Sequence, residues 1–514
     1  MHVFLRVLSL IFSRRVLVSL LLLLQLFLLI MLPITYSQRY EVISISLMVL
    51  SIVAVLYVIS RKTRPAYKTL WVFLILAFPV FGGLLFLLFT FQSTTRRAKE
   101  TLQKIVERTQ PLTLPLQDFL PLMEQQGHSE SLRLGRYLQH STQHPLYGDT
   151  VAEYLSPGEV KHATMLEELK KARHYIFLEY FILNRGVMWD SILEILKEKA
   201  AAGVDVRVMY DDMGNLFQLP LSFPRQLQQY GIKCVAFNRF RPVLSTLQNN
   251  RNHRKITVID GKVAITGGIN IGDEYINVVN RFGHWKDASV ILRGEAAWSM
   301  AVMFLQLWSV VTRKEEDFRP FRPRRSQNFP PPGDGWVQPY SDSPIDDEHV
   351  GERVYLEIIN GARDYLYINT PYLIVDDSML GSLARAAKSG VDVRIVTPHH
   401  WDKLLVHFTT RSYYRELIEE GVKIYEYSDG FMHSKTFVAD DKVATVGTVN
   451  MDFRSLYLHF ECGAVLYNCR AVEQVKGDFL KTLESCQQVS WEDCAGNAFT
   501  RRVQDVLRLF APLL

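Results

Sequence analysis

Cysteine is scarce and unpaired in this sequence. Its five residues (Cys234, Cys462, Cys469, Cys486 and Cys494) form an odd set with no C-x-x-C spacing. That pattern argues against a disulfide framework and against a structural zinc site, and fits reduced thiols on the cytosolic side of a membrane. Strong charge of one sign is also missing. The formal net charge is +5 over 514 residues, whereas a chain that neutralises many nucleic-acid phosphates shows more basicity, clustered on one face. No nucleic-acid partner is expected. A mild positive balance beside apolar segments suits an anionic membrane lipid surface instead.

Apolar residues are plentiful, at 48%, and unevenly spread. Three long runs open the chain: Val16 to Ile34, Val42 to Ile59 and Thr69 to Thr90. Each approaches the ~20 residues that cross a ~30 Å hydrocarbon core as helix. A cleaved signal peptide is the alternative for the first run, but the run is long and no small-residue cleavage site follows it. Basic residues are dense before the first run (Arg6, Arg14, Arg15), between the second and third (Arg61, Lys62, Arg64, Lys68) and after the third (Arg96, Arg97, Lys99). Three full crossings cannot place all of these in the cytoplasm, as the positive-inside rule asks. Pro79, Gly82 and Gly83 interrupt the third run, so a re-entrant hairpin is the expectation there.

The remainder is duplicated. Four blocks recur in the same order. Ala172-Arg-His-Tyr-Ile-Phe-Leu answers Ala362-Arg-Asp-Tyr-Leu-Tyr-Ile, and Gly203-Val-Asp-Val-Arg-Val answers Gly390-Val-Asp-Val-Arg-Ile. Gly231-Ile-Lys-Cys-Val answers Gly421-Val-Lys-Ile-Tyr, and His253-Arg-Lys-Ile-Thr-Val-Ile-Asp260 answers His433-Ser-Lys-Thr-Phe-Val-Ala-Asp440. Each block is rich in β-branched and aromatic residues and reads as a buried strand. Helical periodicity (Ile192, Leu193, Ile195, Leu196) separates the first two. Strand–helix–strand alternation predicts an α/β fold: two pseudo-twofold halves with mixed, mainly parallel sheets flanked by helices. The expected order is a membrane region over 1–95, a helical linker over 96–150, a first half over 151–317, an Arg/Pro-rich linker over 318–340, and a second half over 341–514 with an amphipathic C-terminal helix.

Residues two apart on a strand share a face, so His253 points with Lys255 and His433 with Lys435. A hairpin at Asp260-Gly261 or Asp440-Asp441 returns the chain so that Asn270 and Asn450 reach the same side. Two such halves surround one phosphodiester with paired donors and positive charge, where the charge of a phosphoryl transition state develops. One histidine can attack phosphorus while the other carries the leaving group's proton. This scheme requires no cofactor and no metal. Asp287 and Glu461, downstream in the two halves, are candidates to hold each imidazole by its second nitrogen. Asp260 and Asp440 complete the candidate catalytic set by motif, although an Asp at a hairpin more often serves the turn. Trp298, Phe304 and Trp308 read as the buried face of one helix, and Tyr180 and Phe181 as strand core.

These residues resemble the phospholipase D superfamily, and within it the bacterial cardiolipin synthases. The likeness rests on both H-x-K-x4-D motifs and extends to Thr266-Gly-Gly-Ile-Asn-Ile-Gly-Asp-Glu-Tyr275, Thr370-Pro-Tyr-Leu, Arg411-Ser-Tyr-Tyr-Arg-Glu-Leu and Asn450-Met-Asp-Phe-Arg-Ser455. It implies a phosphatidyltransferase that joins two phosphatidylglycerols through a phosphohistidine, with His253 as nucleophile and His433 as acid and base. Thr448 stands where the first motif has a second glycine, and as a small hydroxyl residue it is a further candidate for phosphate binding. The likeness also implies a multi-pass protein of the bacterial cell membrane with its catalytic part in the cytoplasm. A homo-oligomer stays open. Two other functions are weighed beside it: phospholipid hydrolysis by the same histidines, and an inert membrane scaffold, which would have no need of two intact sets of His, Lys and Asn.

Overall fold

A computed structural model describes residues 40–78, 93–113, 118–240, 248–323, 335–346, 348–494 and 498–513, with isolated positions before residue 40 and from 82 to 86. Two compact units result, one built from residues 1–97 with 240–249 and the other from 98–239 with 250–512.

In the first unit a 21-residue helix over Tyr40–Ser60 precedes a 13-residue helix over Pro65–Ala77. Pro65 opens the second helix at a position where its missing N–H costs nothing. The helix stops before Pro79, because proline disfavours helical backbone in the residue ahead of it. Two described positions beyond it, Gly82 and Phe86, lie against these helices. A Cβ on Gly82 would lie 2.4 Å from the Leu74 carbonyl oxygen, and Phe86 packs on Val58, Ile75 and Trp71. Among the described residues no helix is long and apolar enough to cross a membrane. Of the first apolar run only isolated positions are among the described residues.

The second unit contains the duplication. Helices over Ser93–Thr113, Leu120–Gln125 and Ser129–Thr142 lead into it. The first half supplies β1 (Thr150–Leu155), β2 (Tyr175–Tyr180), β3 (Asp205–Asp211), β4 (Lys233–Phe237), β5 (Arg251–Asn252), β6 (Ile256–Ile259), β7 (Val263–Gly267), β8 (His284–Lys286) and β9 (Ser289–Gly294). The second supplies β10 (Trp336–Asp342), β11 (Tyr365–Asn369), β12 (Leu373–Ile374), β13 (Asp392–Pro398), β14 (Lys423–Tyr427), β15 (Gly430–Met432), β16 (Thr436–Ala439), β17 (Val443–Gly447), β18 (Met451–Asp452), β19 (His459–Tyr467) and β20 (Cys486–Gln488). The sheet orders are β1-β9-β7-β6-β2-β3-β4 and β10-β19-β17-β16-β11-β13-β14-β20. Strand for strand the halves match, with β20 added at one edge.

The expectation of mainly parallel sheets is corrected. Along the two strand orders given, only β2–β3–β4 and β11–β13–β14 run parallel, and the other neighbouring pairs are antiparallel. Strand–helix–strand crossovers produce the parallel pairs, whereas each H-x-K strand returns through a tight turn and must pair antiparallel. The linker also ends earlier than expected, since β10 begins at Trp336.

Each crossover helix ends at a glycine with positive φ, Gly203 (+88°) and Gly390 (+94°), which turns the chain into β3 or β13 without Cβ strain. The core spans both halves. The helix over Ala296–Thr312 is apolar nearly all round and is sheathed by residues of both sheets, with Trp298, Phe304 and Trp308 buried in it. The C-terminal helix over Ala498–Leu509 docks through Arg508, which pairs with Glu416 at 2.7 Å and covers the Tyr413 ring.

Candidate active site

Two short strands stitch the halves together directly before the motifs. β5 pairs in parallel with β19 of the second half, and β15 pairs in parallel with β8 of the first. The stitches continue into the histidines themselves. His253 N–H donates to the Phe460 carbonyl at 2.9 Å, and His433 N–H donates to the Lys286 carbonyl at 2.8 Å.

The residues after those carbonyls are the acids. His253 Nδ1 lies 2.9 and 3.0 Å from the Glu461 carboxylate oxygens, and His433 Nδ1 lies 2.6 Å from Asp287 Oδ2. Each half therefore orients the other half's imidazole. An Nδ1–H held by a carboxylate fixes the tautomer and leaves Nε2 to meet a ligand. Glu461 and Asp287 are both fully buried. Glu461 also accepts from the hydroxyls of Thr448 and Ser455. Burial alone would raise its pKa, but His253, His459 and Lys255 together hold it well below the carboxylate range.

Burial pushes the histidines down, His253 to about 3 and His433 to about 4. The neighbouring lysines shift for the same reason, Lys255 to about 7 and Lys435 to about 8. Lys255 Nζ donates to the His253 carbonyl at 2.5 Å. Lys435 Nζ donates to the His433 carbonyl and sits 2.9 Å from its Nδ1. The two lysines and both acids act on one another electrostatically, so the halves meet in one site.

The other sequence candidates divide. Asn270 is spent on the scaffold: its Oδ1 accepts from Ile182 N–H at 3.0 Å and its Nδ2 donates to the Tyr275 hydroxyl at 2.9 Å. Asn450 differs, with a buried Oδ1 that has no partner. The Thr448 hydroxyl, a phosphate-binding candidate by sequence, is engaged with Glu461 and the Cys462 backbone instead. Asp260 and Asp440 lie away from the site. Each has positive φ and accepts three backbone N–H groups at the start of the neighbouring strand, Arg173, His174 and Tyr175 for one and Arg363, Asp364 and Tyr365 for the other.

Sequence reasoning missed the rings around the histidines. Trp285 lies 5.2 Å from the His433 ring, and His459 lies 5.5 Å from the His253 ring. The registers of β7 with β9 and β17 with β19 make Trp285 and His459 equivalent positions, each two residues before the acid. That shared offset was the available signal. Phe181, expected as strand core, is half-buried with its ring 5.2 Å from His253. The offered ligand atoms of His253, His459 and Glu461 lie within 4.8 Å of one another. As a metal site the set fits poorly, because the Glu461 oxygens already serve three donors and Lys255 adds positive charge beside them.

A family described as "Cardiolipin synthase, PLD-like domain" matches residues 165–303 and 355–483, and one described as "Phospholipase_D-nuclease N-terminal" matches residues 49–89. The chain is 36% identical to a cardiolipin synthase of Alkalihalophilus pseudofirmus over 90% of its own length and 92% of that protein. It is 43% identical to an uncharacterized protein of Streptococcus mutans, over 90% of itself and 99% of the relative. A phosphatidylserine synthase structure from Haemophilus influenzae shares the fold, with TM-score 0.55, 16% identity, and coverage of 74% of this chain and 97% of that one. The chain belongs to the cardiolipin synthases of the phospholipase D superfamily.

Proposed function

We propose that the chain joins two phosphatidylglycerols into cardiolipin and glycerol. The observation that carries this reading is the crosswise pair of carboxylate-clamped histidines, His253–Glu461 and His433–Asp287, each beside a buried lysine. His253 Nε2 attacks the phosphorus of one phosphatidylglycerol. The bond to glycerol oxygen breaks as His433 delivers a proton to it. The hydroxyl of the second phosphatidylglycerol then gives its proton to His433, bonds to phosphorus and expels His253. Lys255, Lys435 and the Asn450 amide hold the non-bridging oxygens through both displacements. The incoming phosphodiester brings the negative charge that lets His433 hold its proton despite burial.

The apolar N-terminal runs anchor this chemistry to the cytoplasmic face of the membrane. The third run is re-entrant: Gly82 against Leu74 supports a chain that returns to its side of entry. Maleimide labelling of a Ser93→Cys variant in intact cells tests this, and labelling from outside overturns it.

The test of the reaction is purified protein in phosphatidylglycerol vesicles without added metal or nucleotide. Cardiolipin and glycerol should appear in equal amounts. Phosphatidic acid without cardiolipin would make the enzyme a hydrolase.

A further inference from the structure

We infer that the rim of the active site is itself a docking surface for an anionic lipid bilayer. This rests on the reading of the substrate as a membrane phospholipid and extends it to how the catalytic part meets that substrate. The second unit exposes large apolar side chains at three loops: Phe217 (92% exposed) with Leu221 (88%), Val278 with Val279, and Trp401 with Leu405 in the first turn of the helix over Leu404–Glu419 that follows it. A soluble protein exposes scattered apolar residues, but paired ones at loop tips mark a surface that something apolar covers.

Every one of these loops is rooted on the site. Asn215, two residues before Phe217, bonds the Phe181 carbonyl and the Leu183 N–H, both at 2.8 Å, and the Phe181 ring stands against His253. Asn277, next to Val278, accepts from Trp285 N–H at 2.7 Å, and the Trp285 ring lies against His433. Asp402, next to Trp401, accepts from the Tyr372 hydroxyl at 2.6 Å, and its charge acts on Lys435. The duplication explains the arrangement. The 212–222 and 399–403 loops leave the C-terminal ends of the equivalent strands β3 and β13, so each half presents an apolar tip on the side where the histidines open.

Charge selects the occupant. Arg185, Arg281 and Lys403 are exposed among these tips, which suits acidic headgroups rather than a second apolar protein face. Depth agrees too. Apolar side chains that seat at the boundary of headgroup and acyl chain put the site at the level of the lipid phosphorus.

The test uses the full chain in nanodiscs containing phosphatidylglycerol, with bimane on Phe217→Cys or on Trp401→Cys. Spin-labelled lipid should quench both probes and spare a control on Lys170→Cys, which precedes the opposite end of β2. Absence of quenching at residues 217 and 401 overturns the proposal, including the case where protein self-association buries them. A Phe217→Ser, Leu221→Ser, Trp401→Ser variant should lose about tenfold or more of its activity on vesicles, as expected when apolar anchors are removed. Its activity on monomeric short-chain phosphatidylglycerol should hold. Equal loss on both substrates, or none on either, overturns docking. A wild-type chain that makes no cardiolipin from either substrate would sink the functional reading, while quenching would still report on docking.

Discussion

His253 in the first half donates its Nδ1–H to the Glu461 carboxylate in the second at 2.9 Å, and the return pair, His433 and Asp287, repeats the contact at 2.6 Å. Neither motif histidine is oriented by an acid of its own half. Duplication has here produced mutual dependence, because β5 and β15 each leave their own half to pair with a strand of the other just before the motif.

Removing either acid's charge should therefore damage the partner half's histidine. Glu461→Gln and Asp287→Asn should each lower kcat about 10- to 100-fold, the usual cost of losing a group that orients a working imidazole. Glu461→Gln should also slow formation of the trapped phosphohistidine on His253, measured by rapid quench. A variant that traps it at the wild-type rate would uncouple Glu461 from His253.

Gly268 offers a second route to the same lesion. A Cβ there would lie 2.1 Å from Asp287 Oδ1. Gly268→Ala should push Asp287 off His433 and reproduce the Asp287→Asn phenotype with the protein still folded. The equivalent Thr448 is tolerated because its hydroxyl bonds the acid instead of colliding with it. Thr448→Val should then loosen Glu461 and cost activity, and Thr448→Ser should restore it. Normal kcat in Gly268→Ala would show that Asp287 can be displaced without consequence.

The lysines set an alkaline limit. Burial lowers Lys255 to about 7 and Lys435 to about 8, so the ammonium form that attracts phosphate is lost as pH rises through that window. kcat/KM, which reports the free enzyme, should fall there. kcat should hold to higher pH, because bound phosphodiester favours the charged lysines. Lys255→Arg should move the onset of the limb upward, since guanidinium does not titrate in this range and Lys435 then sets the limit. Stability runs the other way. The folded histidines resist protonation down to about 3 and 4, whereas the unfolded chain takes up those protons near about 6.5. Protons thus favour the unfolded state as pH falls below that value, and the melting temperature should drop between pH 6.5 and 4. A His253→Asn, His433→Asn double variant should give the flatter curve.

What was legible in the sequence follows from what is local. The repeat, the strand blocks and the shared face of His253 with Lys255 all rest on short spacings, and the buried helix around Phe304 shows in its composition. Sheet direction was misjudged because the crossover pattern drew attention to β2–β3–β4, while β6–β7 is a hairpin that must run antiparallel. The crosswise clamps could not be read from spacing: Glu461 lies 208 residues from His253, and the two meet only through β5 and β19. Asn270 was misplaced for a related reason. Its motif position matches Asn450, but Tyr275 and Ile182 take up its amide, and neither contact is visible from the motif alone.

The last acid of each motif should matter to folding and not to chemistry. Asp260 and Asp440 each collect three backbone N–H groups between 2.7 and 2.9 Å, tying the hairpin turn to the start of β2 or β11. Charge-assisted bonds of this kind are worth about 1.5–3 kcal/mol. Asn keeps one oxygen acceptor and tolerates positive φ, so Asp440→Asn isolates the loss of charge from backbone strain. The expected outcome is a lower melting temperature with unchanged kcat per folded molecule, from calorimetry and assays corrected for active fraction. Asp440→Ala should unfold more readily still, since it loses every acceptor and lacks the short polar side chain that helps Asp and Asn tolerate a φ of +55°. A collapse of kcat in well-folded Asp440→Asn would return this residue to the catalytic set.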